Sequence, residues 1–219
     1  MVLAVLVVAV AGLFYWAFCA SETNGRRTVL RLAHGLDASH PVHKAMLFMA
    51  GRLMQSSKGR IAIEVFPSGQ LGSERECIEQ LQLGCMDMTK TSAGPLESFV
   101  PSMAVFSLPY VFRDSAHFWK VLEGPIGKRF LREGEAKGMR GLCYYDSGAR
   151  SFYTAKKPVR TPDDLAGMKI RVMQSKTSMD MVKSLGASPT PIAWGELYTA
   201  LQQGVIDGAE NNPPTLLAQ

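Results

Sequence analysis

An arginine inside an apolar strand is costly unless something negative meets it, and Arg171 stands between Ile170 and Val172 in such a run. Arg150 follows Gly148 and Ala149 at the end of another strand-like run, residues 142–145, where open α/β sheets place their ligand crevices. The planar guanidinium fork binds a carboxylate through two parallel hydrogen bonds, which a lysine ammonium cannot do. Two such arginines suggest a carboxylate clamp; ion pairs with internal Asp or Glu would account for them too. Trp194 opens a helix after a Pro-Thr-Pro loop and could lay its ring on a ligand's carbon skeleton or simply pack in the core. Asn211, ahead of Pro213 and Pro214, offers amide donors that could serve a ligand or a turn. His40 and His43, on the exposed first turn of a helix, read as solvated imidazoles and not as metal ligands.

Catalytic patterns are missing from the sequence. It contains no Gly-x-Ser-x-Gly elbow, no Gly-Lys-Ser/Thr phosphate loop and no His-Glu-x-x-His helix. Its four cysteines include no Cys-x-x-Cys pair, and Cys77 and Cys85 lie about 12 Å apart along a continuous helix, too far for a disulfide. Neither a metal nor a cofactor is expected. The 24 Lys plus Arg against 19 Asp plus Glu leave a net charge of +5, but the cations are interspersed with acids, which argues against a nucleic-acid partner.

These residues need a scaffold, and 219 residues at 47% hydrophobic are enough to bury one. Strands are expected at residues 29–33, 61–65, 86–89, 104–108, 142–145, 169–173 and 205–207. Helices are expected at 41–57, from a Ser73/Glu76 capping box to 83, after Asp114, after Thr161, at 175–185 and at 194–203. The alternation predicts an α/β layered protein, with a boundary near the polar stretch 147–151. Residues 1–20 carry no charged side chain and are long enough to span a bilayer as a helix, so they read as a signal peptide or an N-terminal membrane or lipid anchor. Cleavage after Cys19, lipidation of Cys19 and retention all stay open; each puts the remainder outside the cytoplasm.

Five stretches carry a resemblance: PSGQLG at 67–72, FSLPY at 106–110, LAGMKIR at 165–171, GASPTP at 186–191 and ALQQGVIDGAEN at 200–211. In this order they resemble the substrate-binding proteins of TRAP transporters, the tripartite ATP-independent periplasmic family. The resemblance implies a periplasmic α/β protein of two lobes, residues 28–147 and 148–219, closing on a central ligand cleft, with the second lobe incomplete because relatives continue past Gln219. It implies no enzymatic activity; the ligand is an organic acid, handed to the TRAP membrane subunits, and a monomer is expected. Arg171 matches the arginine that bridges the ligand carboxylate, Arg150 its supporting arginine, Asn211 the asparagine of the motif and Trp194 the aromatic position. His34, Glu74 and Ser92 lie in first-lobe segments that reach the cleft in relatives. The asparagine-proline run 211–214 favours a uronate or other sugar acid, with a C4-dicarboxylate next; the competing reading is an exported enzyme acting on acidic sugars.

Overall fold

A computed structural model describes residues 27–217. The export or anchor reading of residues 1–20 lies outside the described residues. Among those described, no helix is long and apolar enough to cross a membrane.

Thr28–Ala33 (β1) forms the centre of a three-stranded sheet. Pro41–Ser56 (α1) follows it, then Ile61–Phe66 (β2), Glu74–Gln82 (α2) and Met88–Thr89 (β3). Both β2 and β3 pair with β1 in parallel, Thr28 opposite Ile61 and Leu32 opposite Met88. Parallel neighbours need a crossover, and the two helices supply it. Proline opens α1 without losing a needed donor, and the ring Nδ1 of its N-cap residue His40 accepts the Val42 N–H. The expected capping box starts α2: Ser73 and Glu76 satisfy each other's backbone donors. One apolar cluster joins Leu32, Val42 and Met46; another joins Ala33, Cys77 and Met86.

Helical segments come next: Ala93–Leu96 (α3), a 3₁₀ turn over Pro101–Ser107, Ser115–Glu123 (α4) and Pro125–Phe130 (α5). The strand expected at 104–108 is therefore a 3₁₀ helix, opened by Pro101; short apolar runs do not reveal their period. The strand expected at 142–145 does not form: the run has no ladder partner among the described residues.

A second sheet holds Ser151–Thr154 (β4), Lys169–Val172 (β5), Ser188–Pro191 (β6) and Gly208–Asn211 (β7), in the order β4-β7-β5-β6. Lys176–Ser184 (α6) connects β5 to β6, and Leu197–Gln202 (α7) lies between β6 and β7, preceded by a 3₁₀ turn at Trp194–Glu196. The expected Pro-Thr-Pro loop is thus a strand. It sits at the sheet edge, where a residue lacking an N–H costs no ladder bond. The strand expected at 205–207 starts later, at Gly208. A Cβ there would collide with the Tyr153 backbone oxygen, so only glycine allows β4 and β7 to approach. Pro213–Leu217 (α8) follows β7.

Polar contacts join the two halves. The buried Glu97 carboxylate, just past α3, accepts from Ser175 Oγ at 2.9 Å and from the Thr177 N–H at 3.0 Å, at the start of α6. A carboxylate on a helix's first turn is charge-assisted and favoured by the dipole. Glu97→Ala is expected to lower unfolding free energy by about 2 kcal/mol, measured by denaturant titration.

Candidate functional site

A cavity of about 380 Å³ opens between the two sheets, within the range of small-molecule sites. It lies at the carboxyl ends of parallel strands: Gly35 follows β1, Lys90 follows β3, Gln174 follows β5, and Ile192 follows β6. Open α/β sheets bind ligands at such ends because the loops there diverge and leave backbone donors facing the gap.

β5 sets the orientation of its arginine. Alternation along the strand sends Ile170 and Val172 into the cluster of Leu165, Val182 and Ala187, and Arg171 to the opposite face. Arg171 is only 3% exposed. Its Nε donates to the Ile192 carbonyl at 3.0 Å, and its guanidinium carbon lies 5.8 Å from the centre of the Trp194 ring. Among the described residues no carboxylate bonds to it, and its side chain lines the cavity. Burial works against its charge, while the neighbouring Glu210 supports it.

Arg150 is arranged differently. Its Nε and Nη2 grip both carboxylate oxygens of Glu210, Nη2 reaching Oε1 at 3.0 Å and the Glu210 carbonyl at 2.9 Å. Of the two arginines, then, one fork is closed on an internal acid and the other is open. Both line the same cavity.

Asn211 ends β7 and lines the cavity; its Oδ1 accepts from Asn212 N and Nδ2. The turn role falls to Asn212, whose Oδ1 receives Thr215 N and Oγ1 at the start of α8. On the first-sheet side, Glu74 opens α2 and accepts through Oε1 from Lys90 Nζ, Ser92 N and Ser92 Oγ, each at 3.1 Å. Six of the seven residues singled out in the sequence, Arg150, Arg171, Asn211, Trp194, Glu74 and Ser92, therefore surround one cavity.

His34 does not line it. The residue is 1% exposed; its Nδ1 accepts the Leu36 N–H, which leaves Nε2 to donate to His43 Nδ1 at 3.0 Å. His40 and His43, read as solvated, are also buried, because the loop after β1 and α8 pack over the first turn of α1; His40 Nε2 lies 3.5 Å from Thr215 Oγ1. Among the described residues no group of three metal-binding side chains forms. Burial, followed by His43, Lys90 and His40, pushes the His34 imidazole down to about 4 from the usual 6.5, against a smaller opposing pull from Glu74. Between those values the unfolded chain binds a proton that the folded protein refuses, so stability is full above pH 6.5 and falls as pH drops toward 4. The loss is on the order of 3 kcal/mol, and His34→Gln flattens it in melting curves taken across that window.

One cavity residue, Lys90, and one buried residue near Arg171, Tyr153, were missed in the sequence. Lys90 follows a strand, and the rule that flags Arg150 would also have flagged it. Tyr153 belongs to β4, which the sequence pattern did not reveal; its hydroxyl is buried without a hydrogen-bond partner among the described residues, near Arg171 and Glu210. A second cavity, about 320 Å³ between Arg113, His117 and Ile126, contains none of the residues singled out.

Residues 32–219 match the family model described as bacterial extracellular solute-binding protein, family 7. A TRAP periplasmic solute-binding protein from Bradyrhizobium sp. BTAi1, solved with α/β-D-galacturonate, is 49% identical with a TM-score of 0.80. One from Xanthobacter autotrophicus Py2, solved with β-D-galacturonate, is 47% identical with a TM-score of 0.81. Each comparison covers 84% of this chain and 61% of the solved one. The C4-dicarboxylate-binding periplasmic protein DctP of Rhodobacter capsulatus is 37% identical over 194 residues, 87% of this chain and 57% of that protein. The chain thus spans about three-fifths of the length of these relatives.

Proposed function

Because the chain belongs to the bacterial extracellular solute-binding proteins of family 7, the substrate-binding proteins of TRAP transporters, we propose that it captures an organic acid in the cavity between its sheets and delivers it to TRAP membrane subunits. The lobes are residues 28–147 and 148–219, and the protein works as a periplasmic monomer, freed from or anchored by residues 1–20. The favoured ligand is a hexuronate or related sugar acid.

The observation that carries this reading is the open fork of Arg171. A guanidinium that is buried yet without an acidic partner among the described residues is a standing electrostatic debt, which an incoming carboxylate discharges through two charge-assisted bonds. That fork lies over the Trp194 ring at cation–π distance, the ring offers a flat apolar wall, and the Asn211 amide supplies donors beside it. Arg150 supports the site by holding Glu210, while Glu74 and Ser92 face the ligand from the first lobe. His34 acts from behind the cavity wall.

Catalysis on an acidic sugar would require a free acid or base. Glu74 is engaged by Lys90 and Glu210 by Arg150, which disfavours that alternative. A ligand that binds only the folded state raises the melting temperature, so D-galacturonate should raise that of the full-length protein. Absence of any shift across uronates, aldonates and C4-dicarboxylates, with calorimetry equally silent, overturns the reading.

A further inference from the structure

The cations around the cavity are each paired with an acid, with one exception. Lys90 is bonded to Glu74, Arg150 to Glu210, and Arg75, at the cavity wall, to Glu79. Glu76 is occupied in capping α2, its carboxylate accepting the Ser73 N–H. Arg171 alone of the lining cations lacks an acidic partner among the described residues.

Glu74 has an asymmetry of its own. All three of its hydrogen bonds converge on Oε1. Oε2 accepts none among the described residues, yet it is not one of their fully buried unbonded atoms, and the side chain lines the cavity. That oxygen is therefore open to whatever the cavity holds.

We infer that Glu74 is a specificity-determining residue, which accepts a hydroxyl from the far end of a sugar acid held on Arg171 and excludes acids carrying a second carboxylate there. The inference rests on the reading of Arg171 as the carboxylate site. An ionised carboxylate is an acceptor only, so its open oxygen fits a hydroxyl donor and repels another carboxylate. Lys90 and Glu74 cancel each other's charge, so a second carboxylate, itself only an acceptor, meets neither a donor at this oxygen nor a free cation beside it. One uncompensated guanidinium opposite one open carboxylate oxygen describes a site for a hydroxylated monoanion.

Glu74→Gln tests the charge with little change of shape. The amide Oε1 still accepts all three existing bonds, while Lys90 is left uncompensated. Calorimetry on the full-length protein compares D-galacturonate with galactarate, the same six-carbon chain with C1 oxidised to a second carboxylate. Wild type should prefer galacturonate by about tenfold or more, and Glu74→Gln should shift the ratio toward galactarate by about tenfold, the size of one charge-assisted hydrogen bond gained or lost. Glu74→Asp, which keeps the charge but withdraws the oxygen, should weaken galacturonate and still reject galactarate; it decides the matter if Glu74→Gln melts early. A ratio unmoved in a well-folded Glu74→Gln, acceptance of galactarate by Glu74→Asp, or a wild type that prefers galactarate each overturns the inference and leaves the Arg171 reading intact. A wild type that binds neither acid nor any other carboxylate overturns the Arg171 reading instead.

Discussion

Arg171→Lys weakens carboxylate binding by at least about tenfold in calorimetry on the full-length protein, even though the charge is kept. The lysine loses the second parallel hydrogen bond, the Nε contact to the Ile192 carbonyl and the planar cation placed over the Trp194 ring. Arg171→Met goes further and divides function from stability. Binding falls below detection, while the unliganded protein becomes as stable as wild type or more so, by about 1–3 kcal/mol. The reason is that a buried cation with no acidic partner is itself a cost to the folded state, and a methionine of similar length removes it. A loss of several kcal/mol on Arg171→Met would mean that the guanidinium holds the second lobe together, and the open-fork account would fail.

Arg150→Met gives the second large effect, on stability and on binding together. Glu210, whose side chain is 6% exposed, loses its counter-ion, at a cost of about 3 kcal/mol; this is the low end for a buried pair because Arg150 itself is 33% exposed. The freed Glu210 carboxylate lies close enough to support the charge of Arg171. With Arg150 gone, Glu210 is expected to turn its charge onto Arg171, so that the ligand's place is taken by the protein's own acid. Arg150→Met should therefore abolish binding without Arg150 needing to touch the ligand. The double variant Arg150→Met, Glu210→Gln separates the two roles. Recovery of binding in the double variant identifies Arg150 as the residue that keeps Glu210 occupied; no recovery, in a folded protein, identifies it as a direct ligand contact.

Much of the scaffold is written in local signals. The capping box at Ser73 and Glu76, the proline at the first position of α1 and the alternation around Ile61–Phe66 each depend on neighbours within about four residues, and each forms as expected. The exceptions are segments whose conformation is set by distant chain. The prolines of Ser188–Pro191 are tolerated because β5 flanks only one side of the strand, and nothing within the segment states that it lies at an edge. β4 escaped notice because its partner, β7, lies more than fifty residues away.

The sequence by itself marked Arg171 as an anomaly, since a charge between Ile170 and Val172 demands an anion wherever the strand ends up. It marked Arg150 on equal terms, and placed His40 and His43 in water. Only the tertiary structure distinguished the arginines, by bringing Glu210 onto one and leaving the other facing a gap, and only packing of the loop after β1 and of α8 over α1 buried the histidines. Whether a charge is satisfied depends on which distant group comes within about 3 Å, and hydrogen-bond energy falls too steeply with distance for chain order to foretell it.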